Sequence, residues 1–223
     1  MWDYNQVTDC INLLKEAGAK APIVWGANGG IKEIAGAAGA KLNIAVSASG
    51  IKTVKDLHKR YGTPYLIGYP LGKVYTAKWK QTVNNLLSGV PITDDIPSPP
   101  SENNGKRALI IHEQLTACGL REMLKTEFGF ETIDVASFFK MDKGLKHEND
   151  IRIKEEAVLK DFLAQQDKYD LVVADPLCFG LIPYETKKVM LPHIAVSAIV
   201  FANKSPNIFA EKASQYFQKI LAE

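Results

Sequence analysis

The chain contains 223 residues, 46% of them apolar and 23% charged, which is enough for one large domain or two small ones with a sizeable core. Its net charge of +2 gives no electrostatic reason to expect binding to nucleic acid or to an anionic membrane surface. The three cysteines are odd in number and far apart, so they imply no disulfide framework and favour reduced thiols in a cytoplasmic protein.

The sequence carries no sign of membrane insertion or secretion. It has no run of about 18 apolar residues, so we expect no membrane span. The first ten residues, MWDYNQVTDC, lack the basic and apolar regions of a secretory signal. A helical pattern begins almost at once, with no strand before it, and we therefore expect the chain to be part of a larger protein.

The first ninety residues alternate between helical and strand patterns. Apolar residues recur at helical spacing from Val7 to Ala17, and Gly18 is suited to end that helix. Three apolar runs, APIVWG, LNIAV and TPYLIG, predict short strands. A short helix follows the glycine-rich turn GANGG, and longer helices are predicted over residues 51–61 and 73–87.

The segment PITDDIPSPPSENNGKR interrupts every periodicity. Its four prolines and its polar cluster are typical of a linker. We place the domain boundary there, so that residues 1–90 form one domain, residues 91–106 the linker and residues 107–223 a second domain.

The second half repeats the plan of the first. The runs ALII, ETIDVAS, YDLVVADPL and VMLPHIAVS predict strands, and FFKMDKGLKHEND is a polar excursion between two elements. Helices are predicted from Leu115 to a stop at Gly129, from Ile153 to about residue 166, and from Phe209 to Leu221.

Strands that alternate with helices predict an α/β fold with parallel sheets flanked by helices, in this chain as two Rossmann-like domains. The continuous apolar runs are typical of strands that are covered on both faces. Ligands of open α/β sheets bind beyond the carboxyl ends of the strands, so the residues that follow each strand carry the functional information.

Two of these strand exits are glycine- and serine-rich. Asn28, Gly29 and Gly30 in GANGG could present backbone amides to an anion, or could form only a tight turn. The loop lacks both the GxGxxG spacing and the Lys-Ser/Thr of a P-loop. Ser47, Ser49 and Gly50 in SASG could likewise hold a ligand, or a serine could simply cap the next helix.

Three further exits carry ionisable or nucleophilic groups. His112 and Glu113 follow ALII, where Glu113 could cap the next helix and His112 could be a local hydrogen-bonding partner. Asp175 follows a buried strand, where its carboxylate could orient a ligand or a facing loop. Cys178 is the one thiol at a predicted exit and is a candidate metal ligand, whereas Cys10 and Cys118 are expected in the core. One thiol cannot hold an iron–sulfur cluster, which needs about four protein ligands.

The order of the motifs resembles a known family. The stretch VWGANGGIKEIAGAAGAKLNIAVSASGIKTVKDLHKRYGTPYLIGYPLG is similar to the second Rossmann-like domain of nitrogenase component 1 subunits, and KRALIIHEQLTACGLREML, YDLVVADPL and MLPHIAVS are similar to parts of the third. The matching features in the first stretch are the glycine turn, the strand with its Asn, the helix that ends in Tyr-Gly, the Pro-Tyr pair and the later Gly. The resemblance covers nearly the whole chain.

This resemblance implies an oxidoreductase or a cofactor-assembly scaffold. The family includes nitrogenase catalytic subunits and the dark-operative protochlorophyllide and chlorophyllide reductases, and its subunits have three Rossmann-like domains. They form oligomers with related subunits and receive electrons from an ATP-hydrolysing iron–sulfur partner. An N-terminal domain supplies cysteine ligands to an iron–sulfur cluster. That domain and its cysteines have no counterpart in this sequence, so any iron–sulfur or other metal cluster would need ligands from outside this chain.

Two positions depart from the catalytic nitrogenase subunit. By motif order, the cysteine that holds its active-site cofactor falls at or beside Ser47, and the corresponding histidine falls near Ser197. A serine hydroxyl is a poor iron ligand at neutral pH, because iron cofactors prefer thiolate and imidazole. We therefore expect no nitrogenase cofactor bound in the same way. His193, four residues from Ser197, could take the histidine's place only if the turn were rebuilt.

The resulting expectation is the C-terminal portion of a nitrogenase-like subunit that binds a ligand or metal cofactor in the cleft between two domains and is inactive by itself. Glu113, Asp175, Ser47 and Ser197 would line that cleft. The alternative is a non-redox receptor for a metal chelate, a tetrapyrrole or an anion. A third hypothesis makes the chain mainly an assembly surface with Trp25 and Trp79 as interface anchors, although a core position is favoured for Trp25.

Overall fold

The computed structural model describes residues 4–90, 103–165, 168–198, 200–201 and 204–222. Over residues 4–90 it contains a small α/β unit. Strands β1 and β2 pair in parallel, with Asn43 opposite Tyr65 and Ala45 opposite Ile67. In chain order the elements are α1 (Tyr4–Glu16), α2 (Ile31–Ala35), a 3-10 turn (Gly36–Gly39), β1 (Asn43–Ala45), α3 (Ala48–Tyr61), β2 (Tyr65–Ile67) and α4 (Lys73–Ser88).

The run APIVWG does not form the predicted strand. The carbonyl of Val24 accepts hydrogen bonds from the amides of Ala27, Asn28 and Gly29, and the amide of Val24 donates to the side chain of Asn28. The amide and the carbonyl of Val24, which would bond to a neighbouring strand in a sheet, are therefore both used inside a tight turn. Trp25 is 44% exposed, so the expectation of a core position for it was wrong.

Residues 103–222 contain a five-stranded parallel sheet in the order β5-β4-β3-β6-β7. Among these five strands β3 comes first in the chain, yet it lies at the centre of the sheet. The chain therefore continues to β4 and β5 on one side of β3 and to β6 and β7 on the other. The elements are β3 (Arg107–Ile111), α5 (Gln114–Phe128), β4 (Thr132–Ser137), a 3-10 turn (Lys143–Leu145), β5 (Ile151–Arg152), α6 (Glu156–Gln165), β6 (Leu171–Ala174), a 3-10 helix (Pro176–Leu181), β7 (Lys187–Met190), α7 (Ile194–Ser197) and α8 (Glu211–Ala222).

The central strands are buried on both faces, as their continuous apolar runs predict. Alternate residues of β3 point to opposite sides, with Ala108 and Ile110 in one apolar cluster and Leu109 and Ile111 in another. α5 and α8 contribute to the first cluster, and α6 contributes to the second. The α/β class with parallel sheets flanked by helices is thus confirmed.

The two halves of the chain share a core. Ala45, Ile51 and Val54 belong to the same cluster as residues of α5 and α8. A Cβ atom at Gly119 of α5 would lie 2.5 Å from the carbonyl oxygen of Tyr69, so this glycine permits a close approach between the halves. Trp79 is buried in a smaller cluster between α1 and α4.

Hydrogen bonds also join the halves at the beginning of α4. The amide of Val74 donates to Glu127 Oε1 at 2.9 Å, and Ser214 Oγ donates to Glu127 Oε2 at 2.5 Å. The predicted linker of residues 91–106 falls mostly on residues 91–102, outside the described residues. The division at that linker stays a prediction. In the described part of the chain, no helix is long and apolar enough to cross a membrane.

Candidate functional site

Glu113 joins two strand exits at the carboxyl edge of the sheets. It is the N-cap residue of α5, and its Oε2 accepts hydrogen bonds from the amides of Leu115 at 3.0 Å and Thr116 at 3.1 Å. Its Oε1 accepts from the amide of Ala48, the first residue of α3, at 2.7 Å. One carboxylate therefore neutralises the positive ends of two helices, one from each half of the chain.

The serine-rich turn before α3 consequently receives a protein carboxylate. Ser47 is the N-cap residue of α3, but its side chain makes no capping hydrogen bond. Its Oγ lies 2.7 Å from Ser49 Oγ instead. Gly50 packs against β1, where a Cβ atom would lie 3.4 Å from that of Ala45. An anionic ligand at this turn would have to displace Glu113 or bind beside it.

Asp175 connects the exits of β6 and β7 in a similar way. The carboxylate is buried, and it accepts hydrogen bonds from the amide of Leu177 at 3.0 Å and from the amide of His193 at 2.9 Å. It thereby fixes the start of the 3-10 helix after β6 and the turn that precedes α7. Asp175 therefore acts by orienting a facing loop.

Two imidazole rings meet between these exits. The ring centroids of His112 and His193 are 5.0 Å apart in an edge-to-face arrangement. The ring centroid of Phe139, which follows β4, lies 4.6 Å from that of His193. The exits of β3, β4 and β7 therefore contribute one ring each to a single cluster, beside the point where the strand order reverses. Ligands of open α/β sheets bind at such a point.

Both histidines are held in the neutral form. Burial, followed by the neighbouring His193, lowers the pKa of His112 to about 3. Burial also lowers the pKa of His193. His193 Nδ1 accepts a hydrogen bond from the amide of Ala195 at 3.1 Å, which places its ring proton on Nε2. Neutral imidazole is the form that coordinates metals and the form that can both donate and accept a hydrogen bond.

Two buried polar atoms of this region have no hydrogen-bond partner in the described part of the chain. They are His112 Nδ1 and Ser197 Oγ, and the exposed fractions of the two residues are 9% and 3%. Most buried polar side-chain atoms in proteins have a partner, so each of these atoms calls for a water molecule or a ligand group. Ser197 lies at the end of α7, where its amide donates to the carbonyl of His193.

The GANGG loop uses its amides internally. The amides of Asn28 and Gly29 donate to Val24, and the amide of Gly30 donates to Glu33 Oε2 at 2.8 Å. The side chain of Asn28 completes the turn through its contacts with Val24 and Pro22. None of these contacts joins the loop to the imidazole cluster, and an anion would have to replace Glu33.

Cys178 is buried in the apolar cluster beneath α6. Burial, followed by the carboxylates of Asp175 and Glu156, raises the pKa of its thiol to about 11, which disfavours the thiolate that metals bind. Among the residues that the structure describes, no group of three or more His, Cys, Asp or Glu side chains is arranged to hold a metal ion. The assignment of Cys178 as a metal ligand stays a prediction.

The sequence prediction does not include Phe139, and it considers His193 only as a replacement for a ligand near Ser197. His193 lies in the turn LPHIAV, where motif order points to Ser197 instead, and Phe139 lies at the start of the polar excursion. Phe139 follows β4 by two residues, and His193 follows β7 by three. The strand-exit rule, applied to β4 and β7, is the signal that identifies them.

The fold and this edge define a Rossmann-like α/β protein whose strand exits converge at the switch point. Residues 4–175 match the family model of nitrogenase component 1 type oxidoreductases, and the chain belongs to that family. Among solved structures it is similar to one titled "Nitrogenase Cp1 at pH 6.5", with a TM-score of 0.61 and 10% sequence identity. The similarity covers 98% of this chain and 56% of that one, so the chain spans little more than half the length of its structural relative. No curated protein matches the chain.

An iron–sulfur cluster bound by this chain alone does not fit the residues present. The sequence has three cysteines, and Cys10 and Cys178 lie in different apolar clusters. Such clusters need about four protein ligands. Ser47, at the position where the resemblance places a cysteine ligand, is engaged with Ser49.

Proposed function

We propose that the chain is part of a nitrogenase-like oxidoreductase or cofactor-scaffold subunit and that it binds a ligand or a metal-containing cofactor beside His112 and His193. The observation that carries this proposal is a set of two buried polar atoms, His112 Nδ1 and Ser197 Oγ, for which the described residues offer no hydrogen-bond partner. His112 follows β3 at the switch point, and Ser197 ends the helix that begins after His193. A ligand that contacts them would supply the missing hydrogen bonds or a coordination bond.

The donor set favours a ligand of a particular kind. The carboxylates of Glu113 and Asp175 already accept hydrogen bonds from backbone amides, so their oxygens orient the turns around the site. The remaining groups are the hydroxyl of Ser197 and two neutral imidazoles, of which His193 lies against the phenyl ring of Phe139. These groups suit a largely neutral ligand, or a metal centre whose other ligands come from elsewhere, because imidazole binds borderline metals such as iron, nickel and zinc.

Family membership supports the remaining parts of the proposal. Component 1 type oxidoreductases act with related subunits and with an ATP-dependent iron–sulfur reductase, and we propose partners of both kinds for this chain. The cluster of such a complex would be held by residues outside this chain. His112, His193 and Ser197 would contribute to the wall of a neighbouring ligand site.

Metal titration tests the imidazole site directly. Co²⁺ is a suitable probe because its visible spectrum changes when imidazole nitrogens enter its coordination shell. We expect the unsubstituted protein to bind Co²⁺ and His193→Ala to weaken that binding by about tenfold or more, the range typical of loss of a single ligand or its support. His58→Ala, which removes an exposed imidazole of α3, is the matched control and should bind as the unsubstituted protein does.

Two results would contradict the proposal. One is Co²⁺ binding that is equal in the unsubstituted protein, His193→Ala and His112→Gln. The other is a colourless, iron-free protein, purified without oxygen together with its partner subunits, that also fails to bind Co²⁺. Saturable phosphate binding that is strengthened by Glu33→Ala, which frees the amide of Gly30, would instead favour the alternative of an anion receptor.

A further inference from the structure

We infer that the segment of residues 138–150, between β4 and β5, is a cover over the imidazole cluster and that its opening controls access to His112. The inference rests on the proposed function, because it treats those imidazoles as the groups that a ligand must reach. The polar segment FFKMDKGLKHEND would then regulate access to the site.

The three aromatic rings form a row, in which His193 lies between His112 and Phe139. His112 is buried, and its ring contacts His193. The half-buried ring of His193 in turn contacts Phe139, which is the second residue of the 138–150 segment. Movement of Phe139 would uncover one face of His193 and open a route towards His112.

The two ends of the segment are held to the sheet to different extents. At the first end, the amide of Phe139 donates to Ser137 Oγ at 3.2 Å. At the second end, the buried carboxylate of Asp150 is paired with Arg121 and accepts from the amides of Val135 and His147, each at 2.9 Å. The second end is expected to stay in place, while Phe139, whose amide is held by a single hydrogen bond to Ser137, moves with the middle of the segment.

Asp142 makes polar contacts that tie the middle of the segment to two helices. Its amide donates to Gln114 Oε1 at 2.6 Å, and its carbonyl accepts from Gln114 Nε2 at 3.0 Å. Its carboxylate accepts from the amide of Gly144 at 2.9 Å and from Lys55 Nζ at 3.0 Å. Loss of these contacts would free the middle of the segment from both α5 and α3.

The surroundings of Asp142 are consistent with local opening. Lys55 is partly exposed, and an ion pair of this kind contributes little to stability. Residues 143, 144 and 146–149 are exposed, while Met141 is buried in the apolar cluster and Leu145 packs against it. Segments with few buried apolar contacts open more readily than the core around them.

Chemical modification of histidine measures the opening without any ligand. Diethyl pyrocarbonate reacts with neutral imidazole, and His112 is neutral at pH 6.5 because burial lowers its pKa to about 3. Its reaction rate at that pH therefore reports access. The rate is expressed relative to that of His58, an exposed histidine of α3 outside the segment.

Removing the ring or the contacts of Asp142 should raise the relative rate of His112. We expect an increase of about tenfold in Phe139→Ala and in Gln114→Ala, as a local opening becomes more populated. Lys55→Ala should give a smaller increase. Lys80→Ala, which breaks a similarly exposed ion pair with Glu16 at 2.8 Å, is the matched control and should leave the rate unchanged. Equal rates in all these proteins would overturn the inference.

Amide hydrogen exchange provides a measurement that needs no substitution. If the segment opens locally, the amides of Asp142 and Gly144 exchange faster than those of Val135 and Ile110. Exchange of all four at the rate of global unfolding would overturn the inference.

The cover and the proposed function can fail separately. If Phe139→Ala uncovers His112 but His193→Ala leaves Co²⁺ binding unchanged, the cover exists and the ligand assignment is wrong. If His193→Ala weakens Co²⁺ binding while Phe139→Ala changes neither the rate of Co²⁺ binding nor the modification of His112, the site exists without a cover.

Discussion

Glu113 Oε1 accepts a hydrogen bond from the amide of Ala48 at 2.7 Å, although the two residues are 65 positions apart in the chain. The other oxygen of the same carboxylate caps α5. The turn that the sequence suggests as a ligand site is therefore closed from within by a side chain of the opposite half.

Glu113→Ala should destabilise the protein by about 1–3 kcal/mol, because it removes an N-cap and a bond that connects two helices. Glu113→Gln keeps one acceptor oxygen and should give an intermediate loss. Urea unfolding at neutral pH measures both effects. Glu122→Ala, at an exposed position of the same helix, is the control, and an equal loss in that variant would contradict the role assigned to Glu113.

Acidification should destabilise the protein through His112. Its pKa in the folded state is lowered to about 3, while the unfolded value is about 6.5, so below pH 6.5 the unfolded chain binds an additional proton. The contribution of neutral His112 is fully present above pH 6.5 and decreases as the pH falls towards 3, by up to about 1.4 kcal/mol per pH unit.

The measurement is the free energy of unfolding at several pH values between 7 and 4. His112→Gln, which cannot titrate, should show a shallower dependence, by about one proton, than the unsubstituted protein. Identical slopes for the two proteins would show that His112 does not titrate in this way.

The ion pair between Lys55 and Asp142 should matter only where the carboxylate is charged. Its hydrogen bond with Lys55 is the main cause that lowers the pKa of Asp142. The stabilisation is present above the unfolded pKa of about 3.9 and is lost as the pH falls through the lower folded value. Because both groups are partly exposed, Lys55→Ala should cost less than about 1 kcal/mol at pH 7 and progressively less as the carboxylate is protonated at lower pH. A difference that persists at pH 2 would point to packing by the lysine stem instead.

Gly119→Ala should be strongly destabilising, by about 1–3 kcal/mol, because the new Cβ atom would lie 2.5 Å from the carbonyl oxygen of Tyr69 and 3.2 Å from Leu71. Gly180→Ala places a methyl group where no atom lies within 4 Å and serves as the control. Thermal unfolding compares the two. A Gly119→Ala protein as stable as the control would mean that the two halves can separate without cost.

Local patterns in the sequence predict most of the regular elements. The helices α3, α4 and α5 end at Gly62, Gly89 and Gly129, which all have positive φ values, and the first and last of these stops are predictable from glycine alone. The strands β3, β4 and β6 are identifiable because buried parallel strands consist of continuous apolar runs.

The remaining features depend on contacts between distant residues. APIVWG has the composition of a strand, but the side chain of Asn28 accepts a hydrogen bond from the amide of Val24, and the segment forms a turn instead. Strand β5 is only two residues long and exists because Asp150, held by Arg121, positions it beside β4. Glu113 is predictable as a possible cap, yet no local pattern could indicate that Ala48 shares its carboxylate. The meeting of the three aromatic rings at the strand exits likewise follows from the strand order, which short motifs do not encode.

Helix α5 carries a glutamate at each end, and each one completes a helix of the first half. Glu113 accepts from the beginning of α3, and Glu127 accepts from the beginning of α4. Neither half could therefore be exchanged by recombination with that of a distant relative unless the replacement brought carboxylates in the same two places. The two halves are therefore expected to change together in evolution, because α3 and α4 each depend on a glutamate at one end of α5.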